Sequence, residues 1–409
     1  MFTISEGGVT KAKGFKASSA AAGIKYEGRT DMAMVYSAAP CKAAGVYTSN
    51  LVKAACVQWD KKITASDALV SAVVINAGIA NACTGEQGLA YCEETAKAVN
   101  EALGVPVDGV LVASTGVIGK QLPIEKIVNG VGVLSATLEA GKEAGTLASK
   151  AIMTTDTVNK EVAVTFEIGG KPVNMGGMCK GAGMIHPNMC TMLGFITTDC
   201  AIEKSLMQKS LSENVVDTFN MISVDGDTST NDTLVVLANG LAENPVINDE
   251  KSEDYKTFKE ALNYVMETLA KKMAADGEGA TALFEVKVVN AKTKEQARKL
   301  AKSVVCSSLT KAAIYGHDAN WGRILCAFGY SGEIFDPENV TLSFEGGGES
   351  ILIFENGVGT DFSEEKATKI LSNKEVTVVA DFHLGDACAT AWGCDLTHDY
   401  VSINADYRS

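Results

Sequence analysis

Apolar runs alternate along the chain with segments in which apolar residues recur every three or four positions. The runs predict buried strands at residues 69–76, at 108–114, and in segments that start at 161, 282 and 376. Predicted helices lie between them. Because this alternation packs helices against a sheet, the pattern is typical of a mixed α/β protein.

The clearest predicted helices each have one apolar face. The first begins at Thr84, which a Gln follows three positions later as in a capping box, and it ends at Gly104. The second begins near Glu253, and the third begins at Thr293 with Gln296 completing a capping box. The predicted buried face of the first helix consists of Leu89, Cys92, Ala96, Val99 and Leu103, and that of the second of Phe258, Leu262, Val265, Leu269 and Met273.

One segment follows neither period. Residues 180–199 have the sequence KGAGMIHPNMCTMLGFITTD, in which Gly, Pro, Asn and Thr lie among Met, Leu, Ile and Phe. Turn-forming residues in apolar surroundings predict irregular backbone in the interior, whose polar groups need partners. Such backbone belongs either to a functional site or to a buried loop between two layers, and the pattern leaves both open.

Charge and length narrow the class of protein. The 409 residues are enough for more than one folding unit. Lys and Arg number 36 against 50 Asp and Glu, which gives a net charge of −14. Since the basic residues form no stripe that could follow phosphates, we expect no nucleic-acid partner.

Apolar length and cysteine spacing predict the compartment. No stretch of eighteen apolar residues occurs and the first residues lack an apolar leader core, so we expect no membrane partner. The 11 cysteines form no CxxC pair and no zinc-spaced Cys/His cluster. This usage fits a reducing compartment, and we predict a cytoplasmic protein with no metal ion and no resident cofactor.

The common catalytic motifs are missing from the sequence. The 4 histidines form no HExxH, and neither GxSxG nor GxxxxGK[ST] occurs, although a Ser-His-Asp set could still assemble from distant positions. The stretch DGDTSTNDT from Asp225 begins like a calcium loop. Its sixth position is Thr230 and its twelfth is Val236, where a calcium loop has Gly and Glu. We therefore predict an Asx-rich turn there.

Hydroxyl groups remain as candidate nucleophiles. Ser114-Thr115-Gly116, Thr154-Thr155-Asp156 and Thr191 lie where apolar sequence meets Gly or Asp. A hydroxyl nucleophile without a histidine needs another base, and cleavage just before a Thr would supply an α-amine with a pKa of about 7.7–8.0. Ordinary Thr-rich turns explain the same residues, so this chemistry stays one of two interpretations.

Longer motifs resemble a known family. They are KGAGMIHPNMCTMLGFITTD, SVDGDTSTNDT, GHDANWGRI and ATAWGCDLTHDYVSINADYRS, preceded by AAGVYTSN, VVINAGIANACTG and ASTGVIG. Together and in this order they resemble the ornithine acetyltransferase family, also called glutamate N-acetyltransferase or the arginine-biosynthesis bifunctional protein. The likeness extends over nearly the whole chain.

The resemblance implies a self-cleaving acyltransferase. Cleavage between Cys190 and Thr191 would give an α chain, 1–190, and a β chain, 191–409, with Thr191 as N-terminal nucleophile. The implied fold is an αββα layered sandwich of the N-terminal-nucleophile kind with a smaller C-terminal α/β domain from about 285 to 409. Acetyl would pass from N-acetylornithine to glutamate, acetyl-CoA is an allowed co-substrate, and an α2β2 assembly is expected.

The family's site residues carry over by motif. Thr115 and Gly116 would form the oxyanion hole. A Lys suits the substrate carboxylate, while Glu278 would either meet the ornithine ammonium or assist proton transfer. Taken alone, the same residues fit a solvated turn lysine, a helix-end acid and a turn asparagine. The implied substrate contacts are Thr154, Lys180, Thr191, Glu278, Asn404 and Ser409.

The sequence departs from the family pattern at two of these positions. Cys190 stands where the family more often has Ala, and Ser409 stands where Thr is commoner; the small size and the hydroxyl are kept. Two rival functions remain. One is an aminopeptidase or amidohydrolase that uses an N-terminal nucleophile and transfers the acyl group to water, and the other is an uncut binding protein.

Overall fold

The computed structural model describes residues 1–186 and 192–406. Its strands, in chain order, are β1 (Phe2–Ser5), β2 (Phe15–Ala20), β3 (Met32–Tyr47), β4 (Val70–Ile79), β5 (Val110–Val117), β6 (Lys160–Ile168), β7 (Lys171–Lys180), β8 (Leu193–Thr198), β9 (Ile222–Ser223), β10 (Thr233–Ala238), β11 (Leu283–Ala291), β12 (Thr341–Gly346), β13 (Glu349–Glu355), β14 (Val358–Gly359), β15 (Glu375–Asp381) and β16 (Ala387–Cys394).

The helices are α1 (Ala55–Ala65), α2 (Gly85–Leu103), α3 (Ile124–Ala136), α4 (Lys142–Ala151), α5 (Lys204–Val215), α6 (Glu253–Ala275), α7 (Lys294–Val305), α8 (Ser308–Tyr315), α9 (Trp321–Gly329), α10 (Glu364–Leu371) and α11 (His398–Ala405). Among the described residues, no helix combines the length and the apolar character needed to cross a membrane. The strands form two sheets, and these sheets together with the helices confirm the predicted mixed α/β class.

The first compact unit consists of the described residues 1–181, 192–219 and 228–269. Its strands follow the order β1-β6-β7-β8-β10-β3-β4-β5, with β2 also on β3. The C-terminal half of β3 pairs with β10, whereas its N-terminal half pairs with β2 and β4. One long strand therefore belongs to both parts of the sheet.

Helices pack on both faces of this sheet, as the alternating side chains of β7 show. A Cβ on Gly177 would lie 3.0 Å from Leu269 of α6, and the Cys179 thiol donates to the Leu269 carbonyl. Met178, on the opposite face, belongs to the core that contains Ala148 of α4. Lys180, two residues further along, extends from that same face at the end of the strand.

The second compact unit consists of the described residues 182–186, 220–227 and 270–406. Its sheet has the order β14-β13-β12-β15-β11-β16-β9, in which β11 and β15 run parallel. Phe328, Phe335 and Phe382 pack edge to face in its core, with ring centroids 5.1 to 6.3 Å apart. The predicted division of the chain at residues 190 and 191 falls outside the described residues and stays a prediction.

The predicted helix ends at Thr84, Gly104, Glu253 and Thr293 are all confirmed, but the predicted capping bond at Thr84 is wrong. Thr293 accepts a hydrogen bond from the Gln296 amide at 3.1 Å, and Gly104 ends α2 with a φ of 69°. Thr84 directly precedes α2 but accepts no capping bond; its hydroxyl donates to Asn81 Oδ1 at 2.7 Å. The predicted buried face of α6 is confirmed at every position, whereas Leu89 on α2 is 40% exposed.

Candidate functional site

A buried cluster of two lysines surrounds one carboxylate in the first unit. Lys160 Nζ lies 2.7 Å from Asp156 Oδ1, and Lys180 Nζ lies 3.6 Å from Asp156 Oδ2. Lys180 Nζ also donates to the Thr154 hydroxyl at 2.8 Å. We call Thr154, Asp156, Lys160 and Lys180 the lysine cluster. Since Lys180 is only 7% exposed, it is not a solvated turn lysine.

The charges of the lysine cluster are coupled through Asp156. Burial by itself would raise the pKa of this carboxyl, but the Lys180 and Lys160 cations lower it by more than burial raises it. Its pKa therefore lies well below the usual 3.8. The amides of Gly181 and Thr154 also donate to its two oxygens. Asp156 is therefore an ionised carboxylate shared by two cations.

The predicted oxyanion residues lie at the end of β5. Thr115 and Gly116 pair in parallel register with Ala77 and Gly78 of β4. Gly116 has a φ of 128°, and a Cβ there would lie 2.2 Å from the Gly78 carbonyl carbon. Only glycine fits both the left-handed backbone and this close approach. The end of β5 is thus held against the backbone of β4.

A neutral hydrogen-bond network lies beneath Thr115. Asn231 Nδ2 donates to the Ser114 carbonyl at 2.9 Å and to the Ser114 hydroxyl at 3.2 Å. The backbone N–H of Asn81 donates to the same hydroxyl at 2.8 Å. Cys56 Sγ lies 3.4 Å from Ser114 Oγ. We call Cys56, Asn81, Ser114 and Asn231 the Ser114 network. Burial raises the pKa of the Cys56 thiol to about 11, so the whole network is uncharged at neutral pH.

Two other predicted residues meet in the second unit. Asn404 Nδ2 donates to Glu278 Oε2 at 2.7 Å, and the Glu278 amide donates to the Ala182 carbonyl at 2.9 Å. A Cβ on Gly183 would lie 2.2 Å from Glu278 Oε2. Glu278 is 6% exposed, so its carboxylate is held on two sides. This is a fixed acid rather than a mobile helix-end group.

Residues 182–186 of the irregular segment lie in the second unit and find their partners there, whereas 193–198, also predicted to be irregular, form strand β8 of the first unit. Asp225 accepts hydrogen bonds from the Met184 amide at 2.6 Å, from Ile185 at 2.8 Å and from Asp227 at 3.2 Å. The last of these is the predicted Asx turn. Burial raises the pKa of Asp225. The predicted irregular backbone with satisfied polar groups is confirmed for residues 182–186.

A histidine of the second unit is held neutral. His186 Nδ1 lies 3.1 Å from Ser223 Oγ and 3.5 Å from Cys306 Sγ. Burial first, and then the Lys302 cation, lower its pKa to about 4. Burial also lowers the pKa of Lys302, to about 8. Among the residues with described positions, no three His, Cys, Asp or Glu side chains are grouped to hold a metal ion.

The structure groups the predicted residues in part. It joins Thr154 to Lys180 and Glu278 to Asn404, and it places Thr115 and Gly116 side by side. Cys190, Thr191 and Ser409 lie outside the described residues. Sequence reasoning assigned no role to Asp156, Lys160, Asn81 or Asn231 and considered Ser114 only as a candidate hydroxyl nucleophile. All of these except Lys160 occur within quoted motifs.

Comparison with known proteins gives the family. The ArgJ family model matches residues 16–409. The arginine biosynthesis bifunctional protein ArgJ of Symbiobacterium thermophilum is 51% identical over 405 residues, which cover 98% of this chain and 99% of that protein.

Two solved structures share sequence with parts of the chain. One is the arginine biosynthesis bifunctional protein argJ of Bacillus halodurans, at 48% identity and a TM-score of 0.49, covering 52% of this chain and 97% of the other. The other is the Mycobacterium tuberculosis ornithine acetyltransferase complexed with ornithine, at 39% identity and a TM-score of 0.43, covering 47% and 100%. With nearly the whole length matched by its family model, the chain belongs to the ArgJ family.

Proposed function

We propose that this protein is an acetyltransferase of arginine biosynthesis that moves the acetyl group of N-acetylornithine to glutamate. The observation that carries the proposal is the match over 98% of the chain to a bifunctional protein of that pathway. Because that relative is named bifunctional, we add acetyl-CoA as an alternative acetyl donor. We also propose a cytoplasmic enzyme that needs no resident cofactor.

The lysine cluster supports an amino-acid substrate. Both proposed substrates carry an α-carboxylate, and Lys180 presents an ammonium beside the Thr154 hydroxyl. Its nearest described carboxylate, Asp156, lies closer to Lys160 than to Lys180. A buried cation that shares its counter-charge favours an added anion. Lys180 would therefore bind the substrate carboxylate, with Thr154 as a second hydrogen-bond partner.

The acyl transfer itself would use Thr191. Its Oγ bonds to the acetyl carbon while the hydroxyl proton passes to the α-amine of the same residue. The C–N bond of N-acetylornithine then breaks, and the amine returns the proton to the leaving nitrogen, which releases ornithine. The glutamate amine attacks acetyl-Thr191 in the second half, gives its proton to the same base and restores the hydroxyl.

In both half-reactions the acetyl oxygen gains negative charge, which hydrogen-bond donors must stabilise. The Thr115 hydroxyl and the Gly116 amide would supply them, because β4 holds this strand end in one geometry. Glu278, fixed by Asn404, would meet the ornithine ammonium. Ser409 would contribute its hydroxyl to substrate binding, as the family resemblance implies.

The nucleophile must first be generated. We propose that Thr191 Oγ attacks the Cys190 carbonyl and that the Cys190–Thr191 C–N bond breaks, which leaves an ester and a free α-amine. Water then hydrolyses the ester to the Cys190 carboxylate and the Thr191 hydroxyl, and the α-amine becomes the base. The two chains, 1–190 and 191–409, would stay together and pair as α2β2. Intact mass measurement with N-terminal sequencing tests this, since a chain that begins TMLGF identifies Thr191 directly.

The activity is tested by incubating purified protein with N-acetylornithine, with and without glutamate. We expect ornithine release that depends on glutamate, together with equal formation of N-acetylglutamate. Ornithine release that ignores glutamate would instead establish the hydrolase. A single uncut chain without either product would favour the binding protein.

The matched variant for both steps is Thr191→Ala. It lacks the hydroxyl that both cleavage and acetyl transfer require, so we expect one uncut and inactive chain on a denaturing gel. Thr191→Ser keeps a hydroxyl and should be cut more slowly. Two fragments of normal size from Thr191→Ala would overturn the self-cleavage step.

A further inference from the structure

Asn231 is held so that its amide faces the residue before Thr115. Its Oδ1 accepts a hydrogen bond from the Thr230 hydroxyl at 2.7 Å, while its Nδ2 donates to the Ser114 carbonyl at 2.9 Å. Rotating the amide would place Oδ1 against that carbonyl oxygen, which repels it. The side chain is 5% exposed. Asn231 therefore has one orientation, and the Ser114 carbonyl is fixed by it.

The Ser114 carbonyl shares its peptide group with the Thr115 N–H. Because a peptide unit is planar, fixing the carbonyl fixes the plane from which the Thr115 side chain and the Gly116 amide continue. The Ser114 hydroxyl accepts two N–H donors, from Asn231 and Asn81, so its own hydrogen is directed to another acceptor. Cys56 Sγ lies at 3.4 Å for that role.

The same short segment also contacts the chain that follows the proposed nucleophile. Asn231 is two residues before Thr233, whose amide donates to the Met192 carbonyl at 2.8 Å. From there, β10 and β8 continue as parallel neighbours. Met192 directly follows Thr191 in the sequence. Residues 231–233 thus bond to Ser114 at one end and to Met192 at the other.

We propose that Asn231 is a positioning residue for acetyl transfer, which holds the Ser114–Thr115 peptide in register with the chain leaving Thr191. The inference rests on the proposed function, in which Thr115 and Gly116 stabilise the oxyanion formed when Thr191 attacks. Asn231 touches no reacting atom in this scheme. Its effect is on the placement of the donors, and so on the transition state more than on substrate binding.

The test compares two asparagines with equal burial. Asn231→Asp keeps the shape but replaces both N–H donors to Ser114 with oxygen. Asn214 is also 5% exposed and donates to one backbone carbonyl, that of Lys259, at 3.0 Å. Asn214→Asp therefore makes the same chemical change between α5 and α6, and it serves as the control.

We expect kcat to fall roughly ten- to a hundredfold in Asn231→Asp, since a small misplacement of reacting groups costs up to about that factor. KM for N-acetylornithine should change less than about threefold, because ground-state binding is left intact. Asn214→Asp should keep wild-type kcat. Rates are expressed per mole of cut chain, measured by intact mass, so that slower processing is not counted as slower transfer.

Ser114→Ala sharpens the assignment. It removes the hydroxyl but leaves the carbonyl that Asn231 holds, so its loss of kcat should be smaller than that of Asn231→Asp. If Asn231→Asp does not fold by circular dichroism, Asn231→Ala, which introduces no buried charge, takes its place with the same expected result.

Several outcomes would overturn the inference. They are a folded Asn231 variant with kcat within about threefold of wild type, a rise in KM without a fall in kcat, or equal losses in the Asn231 and Asn214 variants. A wild-type enzyme that releases no ornithine would instead overturn the proposed function itself, and the two failures are therefore distinguishable.

Discussion

The lysine cluster and the Ser114 network lie in the same unit and are both buried, yet they are built from opposite materials. The first combines two cations with one carboxylate, and the second combines two amides, a hydroxyl and a thiol. Charged groups can attract a charged substrate but are costly to bury. Neutral donors attract little, but they fix a backbone without regard to pH. The lysine cluster thus suits the recognition of a charged substrate, and the Ser114 network suits the positioning of the backbone beside it.

The largest expected effect comes from Asp156→Asn. This change leaves two buried lysines without their shared carboxylate, and breaking such a buried pair typically costs about 3–5 kcal/mol of folding free energy. Urea unfolding measures it. Glu6→Gln breaks the exposed ion pair between Glu6 and Lys142 and should change stability little. Equal effects of the two changes would contradict the charged character assigned to the lysine cluster.

Thr115→Val tests the neutral side of the comparison. Valine keeps the shape and loses the hydroxyl, and removal of one preorganised oxyanion donor lowers kcat by about 10²–10³-fold. Because no charge is left unpaired, the urea midpoint should stay close to that of wild type. Full activity would leave the Gly116 amide and the backbone as the donors.

Lys180→Met tests recognition within the lysine cluster. We expect KM for both substrates to rise about tenfold or more, from the loss of a charge-assisted hydrogen bond to the carboxylate. If the Thr191 amine is the base, its pKa should also rise when a nearby cation is removed, and the ascending limb of kcat/KM should move to higher pH.

Lys160→Met is the matched control for that variant. It removes the other cation from Asp156 at the same carboxylate, so it should destabilise the protein while KM stays near the wild-type value. If the ascending limb of kcat/KM in Lys180→Met stays at the pH it has in the wild type, Lys180 does not affect the pKa of the base.

The smallest expected effect is the response of stability to acid. Between the lowered native pKa of Asp156 and its usual 3.8, the unfolded chain binds the proton and the native chain does not, so stability falls as pH falls through this range. The double variant Asp156→Asn, Lys160→Met should flatten that slope by up to about one proton. Ser114→Ala should leave it unchanged, since the Ser114 network holds no group that titrates there.

A second loss of folding stability at acid pH comes from His186. Its pKa is lowered to about 4 from the usual 6.5, so between these values only the unfolded chain takes up the proton and stability falls on acidification. His186→Gln should remove this part of the pH profile without changing the part below pH 4. An activity profile governed by a group that this variant removes would replace the Thr191 amine with an imidazole.

The fold was predictable where local chemistry agrees with tertiary packing. The cap at Thr293 forms on extended backbone, where the Thr293 hydroxyl accepts from the Gln296 N–H and Gln296 Oε1 accepts from the Lys292 N–H. At Thr84 the same pattern gives no capping bond, and its backbone (φ −104°, ψ 4°) is not the extended one that Thr293 has (φ −142°, ψ 157°). Strand β8 was missed because all six of its residues are buried, and a strand covered on both faces shows no alternation.

The candidate site was predictable to a lesser extent. Motif resemblance selected Lys180 and Glu278, whose burial no periodicity indicates. Asp156 and Asn231 lay within quoted motifs, but their importance depends on partners 24 and 117 residues away in sequence, Lys180 and Ser114. Such contacts are created by the sheet, and a one-dimensional pattern does not contain them.

Strand β3 has a consequence for how the first unit opens. Its 16 residues pair with β2 and β4 in one half and with β10 in the other. An opening that frees this strand from one set of partners strains the other set, so local unfolding of either half is coupled to both. In native-state hydrogen exchange, the two sets should appear as one protected block with one opening free energy.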